Sequence, residues 1–353
     1  NVLQQTFPEE SLTASQRLYL EEMRARQALV EYLWSGSTRD TADVAEAVSR
    51  HIKKYAPRYS SFKLMETALQ HLLETKHTQS AIVLLQQVRP YFPDTLPKPC
   101  NSNFDFQKRA VPWIDGKLPI LQRSEKPVKT DFLNAINTQE GDESHPVVSA
   151  DGTTLYFAAF HRPDYPSDDQ NIFVSTRSDT GWTAPRPVAA FSGPADELPL
   201  SLTADGQEML VSVQGRMHLS RRTVGQKWTA PRPLSISGLG SIGQGFLSAD
   251  GQILVLEGSY SPPNQYNVPD QDLFVSFRQP GDIWSKPVAL GSDINTDAQE
   301  GNPFLSADGR TLWFTSDGWP GLGKSDLFRT ERTDPEKWTL WQRPQNLGKN
   351  IND

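Results

Sequence analysis

The feature that most constrains this chain is a four-residue turn motif that occurs four times in its second half. The motif reads Ser/Thr-Ala-Asp-Gly and begins at residues 149, 203, 248 and 306. Each copy separates two short apolar segments. Asp-Gly between such segments is a hairpin signal because glycine readily adopts the positive φ of the turn. The motif therefore predicts hairpins at Asp151, Gly152, Asp205, Gly206, Asp250, Gly251, Asp308 and Gly309.

Two further segments follow each hairpin. The third is short and β-rich, and the fourth carries a tryptophan followed by a proline. Four short strands per repeat, with the last suited to an outer edge, are typical of a β-propeller blade. We predict a propeller over residues 131–353, with at least four four-stranded blades at 131–190, 191–237, 238–291 and 292–348. One equivalent position near the outer rim is expected for Trp182, Trp228, Trp284 and Trp338.

The first 95 residues have a different period. Val44, Val48 and Ile52 lie four apart, as on one face of a helix, and similar stripes follow as far as Val88. Pro57 and Pro93 end two such stretches at a separation close to the roughly 34-residue period of tetratricopeptide helix pairs. This pattern predicts a helical module of four helices, with a plain helical bundle as the alternative.

Residues 96–130 lose the helical period and contain several prolines, which interrupt helices and central strands. We predict a proline-rich linker here, with a single hairpin at 111–121 as the alternative. The fold class is thus α plus all-β: a helical module, then a propeller.

Composition excludes several functions. The net charge is -7 and no run of basic residues could follow a phosphate backbone, so nucleic acid is not an expected partner. No apolar stretch has the roughly 18 to 20 residues of a membrane span. Cys100 is the only cysteine, which excludes an intrachain disulfide and a cysteine-rich zinc site. The start at Asn1 is typical of a processed export product or a trimmed chain.

The blade motif resembles the WD40-like (PD40) repeats of the translocation protein TolB. It reads Glu-x-x-Pro-x-x-Ser-x-Asp-Gly-x-x-Leu-x-Phe over 300–314, followed by Asp-Leu-Phe at 326–328, and the first copy covers 143–157. Such blades after a helical repeat module are similar to the periplasmic propeller proteins of Bacteroidota, including the PorE-like component of the type IX secretion system. This resemblance implies a location in the periplasm or at the outer membrane, and an OmpA-like domain often follows in those proteins.

Catalytic patterns are weak. Glu143, Glu197 and Glu300 recur before the innermost strands, where they cap turns or, alternatively, form a cation-binding ring. The six histidines lack metal-binding spacing. Oligogalacturonate lyases show that TolB-like propellers can be enzymes, but only His145 lies close to an innermost strand. We therefore expect no catalytic residue, metal or cofactor.

Long loops between the second and third strands are the expected binding elements of blades one, three and four. They carry Tyr165, Tyr260, Tyr266 and Trp319. Aromatic side chains bury a large area at low entropic cost on a rigid scaffold. The alternative is that these loops only cover blade edges.

Three functions remain open at this point. The first is a non-enzymatic, envelope-associated scaffold that binds other proteins through the propeller loops and the helical module. The second is a propeller that binds or cleaves glycans, and the third is the sensor half of a longer signalling protein. The last residues, 347–353, copy the link that leads into the fourth blade, so a fifth blade is also expected.

Overall fold

The computed structural model describes residues 13–34, 41–56, 58–92, 106–124, 128–139, 141–162, 165, 169–260, 271–323 and 325–352. The chain forms two compact units. The helical unit spans 1–126 and also includes 320–323 and 348–353, whereas the propeller unit spans 127–319 and 324–347. This architecture confirms the predicted fold class, a helical region followed by a four-bladed propeller.

Five helices are described in the first unit: α1 Ala14–Trp34, α2 Thr41–Tyr55, α3 Tyr59–Glu74, α4 Thr78–Val88 and α5 Phe106–Gln122. Helix α1 begins with a capping box, since the Gln16 N–H donates to Thr13 Oγ1 at 3.3 Å and the Thr13 N–H donates to Gln16 Oε1 at 2.8 Å. Each helix packs against the next one along the chain, and α2 also packs against α4. The assignment of two tetratricopeptide repeats stays a prediction.

The predicted apolar stripes form one core in this unit. Val48, Ile52, Leu69 and Leu84 are completely or almost completely buried in it. Burial of such side chains is the main stabilising contribution to a small helical unit.

The predicted linker is wrong in one respect, because helix α5 lies within it and the alternative hairpin at 111–121 is absent from this described stretch. Pro112 and Pro119 both lie inside this helix. Ile114 and Leu121, seven residues apart, are buried in the helical core. Burial of this apolar face outweighs the local cost of the two prolines, so the helical unit extends beyond residue 95.

The propeller unit contains four antiparallel sheets, one for each predicted blade. Blade 1 contains β1 Asp142–Val148, β2 Thr154–Phe160, β3 Asn171–Ser178, β4 Gly181–Trp182 and β5 Arg186–Pro187. Blade 2 contains β6 Glu197–Leu202, β7 Glu208–Val213, β8 Arg216–Arg221 and β9 Arg232–Pro233. Blade 3 contains β10 Ser241–Leu247, β11 Ile253–Ser259, β12 Asp272–Gln279, β13 Ile283–Trp284 and β14 Val288–Ala289. Blade 4 contains β15 Glu300–Leu305, β16 Thr311–Ser316, β17 Asp326–Glu331 and β18 Gln345–Asn346.

The four Asp-Gly pairs lie in the turns between the first and second strands. In blade 2, Gly206 has a φ of +67°. Asp205 Oδ1 accepts hydrogen bonds from Thr203 Oγ1 at 2.7 Å and from the Gln207 N–H at 3.0 Å. These bonds hold the pKa of the Asp205 carboxyl below its ordinary value. The same bonds recur at Asp151, Asp250 and Asp308.

Consecutive blades pack in one repeated way. The innermost strand of each blade lies against the second and third strands of the preceding blade: β6 on β2 and β3, β10 on β7 and β8, and β15 on β11 and β12. Leu247 and Leu305 are therefore buried, with exposed fractions of 0% and 2%. Val148, at the same position in blade 1, is 51% exposed.

The rim tryptophans occupy equivalent positions in three blades. Trp182 and Trp284 pair with Arg177 and Arg278 across the outer strands, and Trp228 forms an isolated bridge with Arg222. In blade 4 the bridge to Arg332 is made by Trp341 instead of Trp338, which lies in a turn. The backbone position predicted for Trp338 is thus taken by Trp341, although the Trp338 ring still lies next to the Arg332 guanidinium as in the other blades.

Candidate partner-binding surfaces of the propeller

Blade topology divides the propeller surface into two faces. Because successive strands are antiparallel, loops between second and third strands lie at the same edge as the links between blades. The Asp-Gly turns lie at the opposite edge. We call the first edge the loop face. Its blade 2 connection is a two-residue turn at Gln214 and Gly215, both with positive φ, so the long loops belong to blades 1, 3 and 4.

Two of the predicted loop aromatics pack onto their own blades. Tyr165 makes an edge-to-face contact with Phe173, with ring centroids 5.4 Å apart. Trp319 donates from Nε1 to the Ile294 carbonyl at 2.9 Å and packs against the blade 4 core. Both side chains are half-buried and are held against their own blades by these contacts.

The other two loop aromatics are Tyr260 and Tyr266, and only the first lies within the described residues. Tyr260 is 60% exposed and has one described ring contact, to Phe274 at 5.2 Å. Tyr266 lies outside the described residues. Among the predicted loop aromatics that the structure describes, Tyr260 is therefore the most exposed.

The recurring acids hold the links between blades. Glu300 Oε1 accepts from Thr296 Oγ1 at 2.8 Å and from Ser316 Oγ at 2.6 Å. Glu143 Oε1 accepts from Thr138 Oγ1 at 2.9 Å and lies 3.1 Å from Arg162 Nη1. The hydrogen bonds of Glu300 and Glu143 to threonines in the preceding links are those expected of residues that cap turns.

Burial raises the pKa of the Glu300 carboxyl, and the same cause raises that of Glu197. One Glu197 oxygen, Oε2, is buried without a hydrogen-bond partner among the described residues. The three acids therefore differ in environment although they occupy one repeat position.

Arg162 is a loop-face residue that sequence reasoning missed. It is buried, and its Nη1 donates to the Ile136 carbonyl at 2.8 Å. The guanidinium also lies over the ring of Phe173, with Cζ 5.3 Å from the centroid. It joins the first long loop to the link that leads into blade 1, a non-local contact without a sequence signal.

Glu257 is a second missed residue, at the end of β11. Its Oε1 accepts from the Asn302 N–H at 2.6 Å and its Oε2 from the Gln244 N–H at 3.2 Å. Burial raises the pKa of this carboxyl. Because Asn302 belongs to blade 4, the carboxylate connects blades 3 and 4 at their inner strands.

Blade 4 carries a row of large, partly exposed side chains across its sheet. Phe304, Trp313 and Arg329 are paired in register on β15, β16 and β17, so their side chains share one face. Phe304 is 52% exposed, its ring lies 5.5 Å from that of Trp313, and Arg329 Cζ lies 5.9 Å from the Trp313 ring centroid. We call these three residues the blade 4 row.

The positions equivalent to Trp313 and Arg329 are buried in blades 2 and 3. At the positions of Trp313 and Arg329, blade 3 has Val255 and Val275, both completely buried in a cluster with blade 4 residues. Blade 2 has Leu210 and Leu219, which are also buried. The blade 4 row thus presents two aromatic rings and a guanidinium where blades 2 and 3 have buried aliphatic side chains. In blade 1 the position of Trp313 is taken by Tyr156, which is also buried.

Histidines show no common site. His145 lies on β1 with a positive φ of 51°, and its Nδ1 lies 3.0 Å from Ser144 Oγ. Burial lowers the pKa of this imidazole. Within the described parts of the chain, no group of three or more His, Cys, Asp or Glu side chains could hold a metal ion. No helix in those parts is long and apolar enough to cross a membrane.

Comparisons with known proteins give structural likenesses. No protein-family model matches this chain, and no curated protein matches it significantly. Solved structures similar to it include a putative TolB from Agrobacterium tumefaciens, with 16% identity, a TM-score of 0.36, and coverage of 57% of this chain and 61% of that one. A puromycin-hydrolyzing peptidase from Mycobacterium tuberculosis has 20% identity, a TM-score of 0.35, and coverage of 60% of this chain and 30% of the peptidase.

A third similar structure is sucrose-6-phosphate hydrolase from Lactobacillus gasseri. It has 13% identity, a TM-score of 0.37, and coverage of 58% of this chain and 48% of the hydrolase. The chain thus spans less than two thirds of each of these three proteins. With TM-scores this low, none of the three decides between an enzymatic and a non-enzymatic propeller.

Proposed function

We propose that this protein is a non-catalytic scaffold of the cell envelope that binds other proteins through its propeller and its helical unit. The blade 4 row is the observation that carries the proposal. Tryptophan and arginine are enriched among residues that dominate binding energy at protein interfaces. Phe304 adds exposed apolar area beside them.

The proposal also includes the type of each unit and the group of proteins that the chain resembles. The blades are TolB-like, the helices form tetratricopeptide-like pairs, and the whole resembles PorE-like proteins of the periplasm or outer membrane. The blade motif at 143–157 and 300–314 supports the first statement, and the order of the two units supports the last.

Glycan binding is the second candidate function, and Tyr260 favours it. Its ring is more than half exposed and is held edge-to-face against Phe274. A fixed, accessible aromatic ring can stack on the apolar face of a sugar. Calorimetric titration with neutral and acidic oligosaccharides would test this candidate, and heat that is lost on Tyr260→Ala would favour it over the scaffold.

Affinity capture from an envelope extract of the source organism tests the scaffold proposal. The bait is the full chain, compared with Phe304→Ala and with a matched control, Ile283→Ala. Ile283 is 60% exposed and lies on a different blade. We expect a discrete protein to be captured by the parent and by the control and to be lost with Phe304→Ala. Recovery of no specific protein, or equal recovery by all three baits, would overturn the proposal.

A further inference from the structure

A cavity of about 620 Å³ opens between helix α1 and the first turns of helix α3 in the helical unit. This volume is within the usual range of small-ligand sites, roughly 300 to 1,000 Å³. Four lining residues of α1 follow the spacing of a single helix face: Tyr19, Glu22, Met23 and Arg26. From the other side, Arg58, Ser60 and Lys63 complete the lining.

The one acidic group in this lining already has its partners. Glu22 is completely buried, and its Oε2 lies 2.7 Å from Arg58 Nη1. Its Oε1 accepts hydrogen bonds from the hydroxyls of Ser60 and Ser61. Arg58 therefore neutralises Glu22, and this pair contributes no net charge to the cavity.

Arg26 has a donor without a partner. Its Nε is buried, and no described residue offers an acceptor within hydrogen-bonding distance. A buried donor of a charged group that lacks an acceptor is costly. Lys63 lies in the same lining, paired with Glu66 at 2.6 Å and partly exposed. Because Arg58 and Lys63 are both paired with carboxylates, Arg26 gives the cavity one net positive charge.

We propose that this cavity binds the side-chain carboxylate of an aspartate or glutamate in a partner polypeptide, which rests on the scaffold function proposed above. The carboxylate forms an ion pair with the guanidinium of Arg26, for which no ion pair with a described residue is found. Met23 and Tyr19 provide an apolar wall for a residue next to the acid. The cavity is several times larger than a carboxylate group, so it has room for a peptide segment.

Isothermal titration of the full chain with a capped peptide, Ser-Leu-Glu-Leu-Ser, tests this proposal. The comparison ligands are the same peptide with glutamine in place of glutamate, and succinate as a free carboxylate. The comparison variants are Arg26→Gln and a matched control, Lys53→Gln, which removes an exposed cation from α2. A melting curve for each variant verifies that the fold is retained.

We expect the glutamate peptide to bind about ten-fold more tightly than the glutamine peptide and than succinate, with the same loss for Arg26→Gln and none for Lys53→Gln. Equal binding of the two peptides, undiminished binding by Arg26→Gln, or no heat up to about 5 mM peptide would overturn the proposal. Succinate as tight as the peptide would show a site for free small anions and overturn it too. None of these outcomes depends on Phe304, so the scaffold function is tested separately by the capture experiment.

Discussion

The guanidinium of Arg332 lies over the ring of Trp338, with its Cζ atom 4.0 Å from the ring centroid. A cation over a tryptophan face is attracted by the ring's quadrupole, and the effect grows when the pair is desolvated. The pair recurs once per blade, with separations of 6.0, 4.9 and 5.3 Å, as Arg177 with Trp182, Arg222 with Trp228, and Arg278 with Trp284. Each arginine is the second residue after a serine or threonine of the third strand.

These pairs connect a blade to the one before it. Arg222 Nη2 donates to the Tyr156 hydroxyl at 2.7 Å, and Trp228 lies edge-on to the Tyr156 ring. Arg278 Nη2 donates to Glu208 Oε2 at 2.7 Å, again in the preceding blade. In blade 1, Arg177 is exposed. The pairs in blades 2 and 3 thus stabilise the contact between consecutive blades.

The first prediction concerns this contact. Trp228→Ala should lower the free energy of unfolding by about 3 kcal/mol, at the low end for a tryptophan because the ring is only half-buried. The loss comes from contacts with Tyr156, Phe191 and Arg222. Urea unfolding followed by tryptophan fluorescence measures it. Trp182→Ala is the control and should cost less, because the Arg177 beside it is exposed and the pair is wider; a larger loss for Trp182 would contradict this account.

The second prediction concerns the hairpin turns. Gly206→Ala should cost about 1 kcal/mol, because its φ of +67° disfavours any Cβ although no heavy atom lies within 4 Å of one. Gly225→Ala is the control, since this glycine has no positive φ and an added Cβ would meet only Thr223 Oγ1, at an ordinary contact distance of 3.9 Å. Thermal melts of the two variants should differ accordingly. Equal melting temperatures would show that turn conformation contributes nothing.

The blades could be predicted from sequence because their signals are local. A hairpin needs glycine at one backbone position, and the Thr203 and Asp205 side chains that stabilise it lie within four residues of that glycine. Such a signal does not depend on contacts with residues distant in sequence. Helix α5 was missed for the opposite reason, since burial of Ile114 against helices distant in sequence decides its conformation.

The candidate site was predicted less well. Tyr165 and Trp319 were expected to be accessible, yet each packs back onto its blade through contacts that sequence does not indicate. The blade 4 row could have been found: Arg329 stands where the other third strands have valine or leucine. A charged residue at a position that is aliphatic in every other repeat indicates that this face of blade 4 differs from the others.

The third prediction concerns pH. Burial raises the pKa of Glu257 above its ordinary value of 4.5, so the folded protein binds this proton more tightly than the unfolded chain. Stability from this group is therefore lost as pH rises from 4.5 through the raised pKa. The melting temperature of Glu257→Gln minus that of the parent should therefore increase as pH rises across that window. Glu336→Gln, at an exposed position, is the control; a flat difference for Glu257→Gln would show that ionised Glu257 is not penalised by burial.

The last prediction concerns Gly116 in helix α5, where two effects have opposite signs. Alanine favours a helix interior over glycine by about 1 kcal/mol, so propensity alone predicts that Gly116→Ala is stabilising. The added Cβ would lie 2.3 Å from Pro320 Cβ and 2.8 Å from Pro320 Cγ, both within the helical unit. Overpacking of this kind costs about 1 to 3 kcal/mol, so we expect net destabilisation.

A double-mutant cycle separates the two effects in Gly116→Ala. Pro320→Gly removes both atoms that the new methyl group would meet, at its own cost in loop entropy. In that background, Gly116→Ala should become neutral or stabilising, because only the helix preference remains. Urea unfolding followed by far-UV circular dichroism, which reports the helices, measures all four corners of the cycle. If Gly116→Ala has the same effect with and without Pro320, the close approach of these two residues does not determine the choice of glycine.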